Sequence, residues 1–209
     1  MAAASVSLTQ LTAWLARFRD LVTEQRDYLT ELDSAIGDAD HGANMARGMG
    51  AVLDKLDDTE STTVDELFKG VGMTLVSSVG GASGPLYGTF FLRMGVTAGA
   101  VTEMDAAALG AALRAGLGGV IARGKAELGD KTMLDALSPA LDAFDAAGDD
   151  VAAAANAAYD AAVVGRDNTI DLVARKGRAS YLGDRSAGHL DPGATSTALL
   201  FQALAESLS

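Results

Sequence analysis

The sequence has 209 residues, 49% of them hydrophobic, with 28 acidic against 16 basic side chains and a formal net charge of -12. The absence of cysteine excludes thiolate zinc sites and thiol nucleophiles, and a chain of this length buries enough surface to fold without disulfides or a structural metal. The acidic excess disfavours nucleic acid and anionic membrane surfaces as partners, because like charges repel. We therefore expect a single domain over residues 1–209 that binds neither of them.

Neither a secretory leader nor a membrane span is expected from the sequence. The first residues lack a basic region followed by an apolar stretch, and no later segment has roughly 18 uninterrupted apolar residues. A cytoplasmic location is the default expectation. The sequence is rich in alanine and only 5% aromatic, a composition that favours helices over strands and predicts an all-α fold.

The first predicted helix covers residues 7–32. Its apolar residues recur mostly at intervals of three and four, which is typical of one buried face of a long helix. Ser7 and Gln10 have the spacing of a capping box at its start. Further helices are predicted at about 42–56, 63–79, 86–99, 105–123, 132–147, 151–175 and 195–208. The pattern thus predicts eight helices and no convincing strand.

Four glycine-rich or charged segments interrupt the helical pattern. The two long ones are residues 34–44 and 177–195, and the two short ones are residues 79–88 and 124–131. Both histidines, His41 and His189, fall in the long segments. Long polar loops on a helical scaffold commonly carry function, so we expect the site among them.

Three carboxylates follow the first predicted helix. Asp33, Asp38 and Asp40 lie within eight positions, and the intervening glycine allows the backbone to turn so that they converge. Converging carboxylates repel one another unless a cation lies between them, and hard oxygen ligands select Mg²⁺ or Ca²⁺. The alternative is structural: a helix-terminal Asp33 with Asp38 and Asp40 as turn or cap residues. A calcium-binding EF-hand loop is excluded, since Ala43 and Met49 stand where its glycine and glutamate belong.

The surroundings of these aspartates resemble a known family. Residues 32–45, with the sequence LDSAIGDADHGANM, are similar to the nucleotide-site signature of the nucleotide-binding (L) subunit of dihydroxyacetone kinase. Three further stretches are similar to that family in order, namely residues 80–88, 129–135 and 177–194. The resemblance implies an antiparallel barrel of eight helices that holds ADP or ATP at one end through two magnesium ions.

The resemblance also implies roles for individual residues. The metal ligands would be Asp33, Asp38 and Asp40, and Arg178 would be the catalytic arginine, since its planar guanidinium suits phosphate oxygens. The nucleotide contacts would be His41, Gly42, Ala43, Asn44, Ala82, Ser83, Gly124, Met133, Arg178, Asp191, Pro192 and Gly193.

Each of these assignments has a structural alternative. His41 could be a solvated helix-capping histidine, Met133 an ordinary core methionine, and Arg178 part of a solvated charged face. The stretch Asp191-Pro192-Gly193 could be a plain turn. Arg185 and His189 are left as candidates for phosphate handling or partner contact.

The function implied by the resemblance is that of an ADP/ATP-binding subunit. It would transfer phosphate to dihydroxyacetone held on a separate substrate-binding subunit, and its bound ADP would be rephosphorylated in place by a phosphohistidine protein of the phosphotransferase system. Three alternatives stay open: a kinase subunit that exchanges free ATP, the nucleotide domain of a fatty-acid kinase, and a nucleotide-sensing module that binds a transcription regulator.

Overall fold

Helices account for nearly all regular structure in residues 5–208, the part of the chain that the computed structural model describes. The helices are α1 (Leu8–Glu24), α2 (Arg26–Ile36), α3 (His41–Asp58), α4 (Val64–Ser78), α5 (Ser83–Ala98), α6 (Ala106–Gly124), α7 (Leu134–Ala146), α8 (Val151–Asn168) and α9 (Pro192–Ser207). A 3₁₀ segment, Arg178–Ser186, precedes α9. The all-α prediction is confirmed.

The first predicted helix is divided in two by a bend at Gln25. Hydrogen bonding nevertheless continues through the bend: the Gln25 amide donates to the Leu21 carbonyl, and the Leu29 amide donates to the Gln25 carbonyl, both at 2.9 Å. The helices α1 and α2 therefore form one bent rod. Counted this way, eight rods form a ring in which successive helices pack side by side and α9 closes the circle against α1 and α8.

Four predicted helix boundaries are wrong by three residues or more. The helix α2 ends at Ile36 rather than at residue 32, and α5 begins at Ser83 rather than at residue 86. The helix α8 ends at Asn168 rather than at residue 175, because Thr169 turns the chain and its hydroxyl donates to the Arg166 carbonyl at 2.6 Å. The helix α9 begins at Pro192 rather than at residue 195. Proline is suited to the first turn of a helix, and the Asp191 carboxylate caps it by accepting from the Ala194 amide at 2.7 Å.

The expectation of no strand is also corrected. The strands β1 (Ser5–Ser7) and β2 (Glu103–Asp105) form a two-stranded antiparallel pair, with Val6 opposite Met104 and both buried. Strands of three residues are too short for an alternating pattern to register in the sequence. The pair fastens the start of α1 to the start of α6, and the predicted Ser7–Gln10 capping box is present there.

The ring encloses an apolar core with aromatic side chains at its centre. Trp14 is fully buried, its indole nitrogen donates to the Leu200 carbonyl at 2.8 Å, and its ring lies about 6 Å from those of Phe68 and Phe91. Trp14 is therefore a core residue that joins α1, α4, α5 and α9. One helix, α6, is long and apolar enough to cross a membrane by length and composition, but half of that window is buried within the ring.

Candidate functional site

The four interruptions of the helical pattern meet at one end of the ring and line a cleft of about 550 Å³. The loops that join α2 to α3, α4 to α5, α6 to α7 and α8 to α9 all contribute residues to it. The segments that the sequence marked as functional loops are therefore adjacent in space. A cleft of this size lies within the usual range for small-molecule sites.

Asp33 organises the loop between α2 and α3. Its side chain is buried in the last turn of α2, and its Oδ2 atom accepts from the backbone amides of Asp40 at 2.8 Å and His41 at 3.1 Å. Gly37 gives this carboxylate its space, because a Cβ added there would lie 2.0 Å from Asp33 Oδ1. The α2 carboxylate, rather than the residue at the start of α3, thus caps the N-terminus of α3.

Asp38 and Asp40 bring their carboxylates to the same point as Asp33. One oxygen from each of the three residues lies within 4.8 Å of the others. Asp40 is the N-cap residue of α3, yet its side chain makes no capping hydrogen bond, so the capping alternative does not account for it. A convergent set of three hard oxygen donors fits Mg²⁺ or Ca²⁺.

His41 is buried behind the carboxylates and contacts two hydroxyl groups. Its Nδ1 lies 3.0 Å from Ser83 Oγ, and its Nε2 lies 2.9 Å from Ser196 Oγ. Ser196 donates to the Gly193 carbonyl at 3.1 Å, which leaves its oxygen to accept from Nε2. Burial lowers the pKa of His41, while Asp33 and Asp40 act to raise it. The interpretation of His41 as a solvated cap is wrong.

The next three residues do not line the cleft with their side chains. Gly42 packs against α2, Ala43 is half-buried, and Asn44 is buried and accepts from Arg47 at 2.6 Å. Within the described part of the chain, the amides of Gly42 and Ala43 donate to no partner. These are free donors at the N-terminus of an 18-residue helix, whose dipole favours an anion.

The opposite side of the cleft is mainly apolar. Ala82 and Ser83 form its edge at the start of α5, and Gly124 lies at the end of α6. Met133 is 5% exposed and belongs to the hydrophobic core while also lining the cleft, so both readings of this residue apply. The apolar residues beside them are Leu86, Val120 and Ile121.

The Asp191-Pro192-Gly193 stretch both caps α9 and lines the cleft. The side chain of Asp191 is buried, and burial raises its pKa to about 7, with Asp135 and Asp33 adding to that effect. The turn interpretation and the site interpretation are therefore compatible.

Arg178 extends from the 3₁₀ segment across the cleft mouth. Its Nε atom lies 3.0 Å from Asp38 Oδ2, which joins the last of the four loops to the first. Arg178 is exposed, as are Arg185 and His189, but the latter two lie outside the cleft lining. Their proposed phosphate handling has no support in this geometry.

Lys131 also lines the cleft, although the sequence analysis did not predict it as a site residue. Its side chain is 1% exposed, and its ammonium group donates to three backbone carbonyls. The residue adopts a left-handed φ of 63°, which is unusual outside glycine. No pattern in the sequence marks a lysine for burial. Arg123, Thr132 and Lys176 also line the cleft without having been predicted to do so.

Known proteins are similar to this chain in sequence over most of its length. The sequence model of the DAK2 domain family matches residues 35–206. The PEP-dependent dihydroxyacetone kinase, ADP-binding subunit DhaL, of Escherichia coli (strain K12) is 47% identical over 204 residues, which cover 96% of this chain and 97% of that protein. The PTS-dependent dihydroxyacetone kinase, ADP-binding subunit DhaL, of Lactococcus lactis is 45% identical over 196 residues, covering 92% and 94%.

Two solved structures of one kinase have a fold similar to that of this chain. The dihydroxyacetone kinase of C. freundii in complex with AMP-PNP and Mg²⁺ superposes with a TM-score of 0.71 at 31% identity, covering 94% of this chain. The native form of that kinase gives a TM-score of 0.74 over 99% of this chain. The match occupies about a third of the C. freundii chain, 36% in the native form.

Proposed function

The chain belongs to the DAK2 domain family, and on that premise we propose that it is the nucleotide-binding subunit of a PEP-dependent dihydroxyacetone kinase. The observation that carries the proposal is the meeting of the Asp33, Asp38 and Asp40 carboxylates, the N-terminus of α3 and Arg178 at one cleft. The high identity to ADP-binding subunits over nearly their whole length supports it.

The three carboxylates would hold magnesium. Their oxygens are hard donors gathered within 4.8 Å, and Gly37 leaves room for Asp33 where a methyl group would not fit. Bound magnesium would neutralise phosphate charge and orient the terminal phosphoryl group. The resemblance implies two ions, and three carboxylates with further coordination by phosphate and water are compatible with that number. Without a cation these carboxylates would repel an anionic ligand.

The remaining polar groups of the cleft would bind the phosphates directly. The amides of Gly42 and Ala43 and the dipole of α3 offer fixed donors, and Arg178 offers a mobile cation at the mouth. Ser83 contacts His41 at the same edge, and this hydrogen bond restrains its hydroxyl group. Phosphoryl transfer requires positioning and charge neutralisation more than covalent chemistry, and these groups supply both.

The apolar wall formed by residues such as Leu86, Val120 and Met133 would take the base of the nucleotide. Gly124 leaves that end of the wall open, since a Cβ there would lie 3.2 Å from Leu86. Asp191, Pro192 and Gly193 line the adjoining part of the cleft and would border the ribose or base. The nucleotide would therefore bind in a single orientation, with its phosphates at the carboxylate end of the cleft and its base at the apolar end.

The acceptor would be held by a different protein. The described residues form one ring, and the nucleotide would fill the cleft at the end of that ring. We therefore propose a dihydroxyacetone-binding subunit as the partner that meets the cleft mouth. The names of the relatives support a phosphohistidine protein of the phosphotransferase system as phosphate donor. Exchange of free ATP is the alternative, and nothing in the cleft favours the transcription-regulator module.

A reconstituted assay tests this function. The purified chain is combined with a dihydroxyacetone-binding subunit, the phosphohistidine donor protein and dihydroxyacetone, and formation of dihydroxyacetone phosphate is followed. We expect turnover with catalytic amounts of ADP and none when this chain is omitted. Product formation without this chain, or no product with all components present, contradicts the proposal.

A separate measurement distinguishes the two phosphate sources. Labelled ADP is bound to the chain, free ATP is added in excess, and release of the label is followed over time. Retention of the label through many turnovers supports rephosphorylation in place. Exchange within seconds supports the ATP-dependent alternative and contradicts the bound-cofactor form of the proposal.

A further inference from the structure

The Lys131 ammonium group lies at the base of the loop that carries Arg178. It donates to the carbonyls of Ile170 at 3.3 Å, Leu172 at 3.0 Å and Ser186 at 2.7 Å. The first two acceptors precede Arg178 in the chain and the third follows it. One charged group therefore binds both ends of residues 170–186, which we call the Arg178 loop.

Other hydrogen bonds join the ends of the Arg178 loop to each other and to neighbouring residues. Ser186 is fully buried, accepts from the Ala174 amide at 2.8 Å and donates to the Gly183 carbonyl at 2.7 Å. The Gly188 amide donates to the Ile170 carbonyl at 2.7 Å, and the Arg175 amide donates to the Asp130 carbonyl at 3.0 Å. The ends of the loop are thus held, while Arg178, which lies between them, is exposed.

Lysine suits this position because an ammonium group has three donors at one atom. Three carbonyls converge on that atom, so every donor is used although the side chain is 1% exposed. A guanidinium is planar and larger, and an amide has only two donors, so neither replaces it. Burial lowers the pKa of Lys131, whereas Asp191 and Asp171 act to raise it and so favour the charged form.

We propose that Lys131 is a positioning residue that holds Arg178 over the nucleotide cleft by joining the two ends of the Arg178 loop. This inference rests on the proposed nucleotide-binding function. Lys131 acts on the loop backbone, and Arg178 acts on the ligand. Removing the ammonium group leaves the Leu172 and Ser186 carbonyls without this donor, which loosens the loop and weakens ligand retention while all three carboxylates on the other side of the cleft remain in place.

The first test is hydrogen exchange of the ligand-free chain, followed by mass spectrometry. Lys131→Met keeps much of the side-chain volume but removes the donors, and Lys55→Met is the matched control, since Lys55 is exposed near the far end of α3. We expect peptides covering residues 170–188 to exchange roughly 10- to 100-fold faster in Lys131→Met, the range expected for unpaired buried polar groups. Unchanged exchange of these peptides would overturn the proposal.

The second test asks whether Lys131 acts through Arg178. Mg-ADP affinity is measured for Lys131→Met, Arg178→Met and the double variant. A positioning role predicts that Lys131→Met weakens binding and that the two effects are not additive, because both remove the same contact. Additive effects, or unchanged affinity in Lys131→Met, would show a purely structural lysine and overturn the proposal.

A chemical rescue covers the case in which Lys131→Met does not fold. The natural sequence has no cysteine, so Lys131→Cys introduces a single thiol that 2-bromoethylamine converts, in the unfolded chain, into an ammonium of nearly lysine length. Restored loop protection and Mg-ADP affinity after alkylation support the proposal, and no restoration overturns it. If the wild-type chain fails to bind Mg-ADP, the proposed function is wrong and the positioning role with it, whereas the exchange result still reports whether Lys131 holds the loop.

Discussion

The glycine at position 37 gives a sharp test of the carboxylate site. A Cβ at this position would lie 2.0 Å from Asp33 Oδ1 and 2.9 Å from Asp33 Cγ. The Asp33 carboxylate would therefore have to move by more than about 1 Å to restore an ordinary contact distance. Metal ligands are held within about 0.2 Å of their preferred distances, so Gly37→Ala removes Asp33 from the cluster.

The same movement breaks two hydrogen bonds at the start of α3. Asp33 Oδ2 accepts from the amides of Asp40 at 2.8 Å and His41 at 3.1 Å, and bonds to a charged acceptor each contribute about 1.5–3 kcal/mol. Loss of a metal ligand and of these two hydrogen bonds should weaken Mg-ADP binding by at least about tenfold, equivalent to roughly 1.4 kcal/mol.

The assay is isothermal titration of Mg-ADP into Gly37→Ala and into Gly50→Ala as a control. Gly50 lies in the same helix that Asp33 caps, and a Cβ there meets nothing within 4 Å. The control should bind like the wild type and gain about 0.5–1 kcal/mol in the free energy of unfolding, since alanine favours a helix interior. Equal Mg-ADP affinity in Gly37→Ala and the wild type would refute the assignment of Asp33 as a ligand.

Three further predictions concern other parts of the cleft. Asp38→Asn should lower the Mg-ADP affinity measured by calorimetry, whereas Asp57→Asn, at the exposed far end of α3, should not. Equal affinities of Asp38→Asn and the wild type argue against the metal assignment. Ser196→Ala removes the partner of His41 Nε2 and Tyr87, and should lower the free energy of unfolding in urea by about 1–3 kcal/mol, while exposed Ser77→Ala changes it little. Burial raises the pKa of Asp191 from 3.8 to about 7, so the folded state binds this proton more tightly than the unfolded state, and Asp191 makes stability fall as pH rises between those values. Asp191→Asn should flatten the pH dependence of urea unfolding in that window, and parallel curves for the two proteins would contradict this cause.

Periodicity and loop chemistry predicted most of the fold because the helices are amphipathic and their junctions are polar. The predicted boundaries failed where tertiary contacts decide them. The helix α8 ends at Asn168, next to Thr169, whose hydroxyl oxygen accepts from the distant Asp191 amide at 3.0 Å. The strands β1 and β2 exist only because residues distant in sequence meet.

Those parts of the site that consist of short continuous motifs could be predicted from the sequence. The Asp33–Asp40 loop and the start of α9 are short stretches with a recognisable resemblance, and their residues line one cleft. Lys131 is different, because its three acceptors lie about 40 to 55 positions further along the chain. The partners of His41, Ser83 and Ser196, lie 42 and 155 positions away in the chain. Such contacts depend on the closure of the ring, which no local pattern encodes.

The nucleotide content of the purified chain is a direct test of the proposed Mg-ADP site. The chain is purified in the presence of magnesium, denatured, and the released nucleotide is identified and counted by chromatography and mass spectrometry. We predict ADP at close to one molecule per chain, lost on treatment with a chelator and regained on adding Mg-ADP. A chain that carries no nucleotide and does not bind ADP when magnesium is supplied would contradict the proposed function.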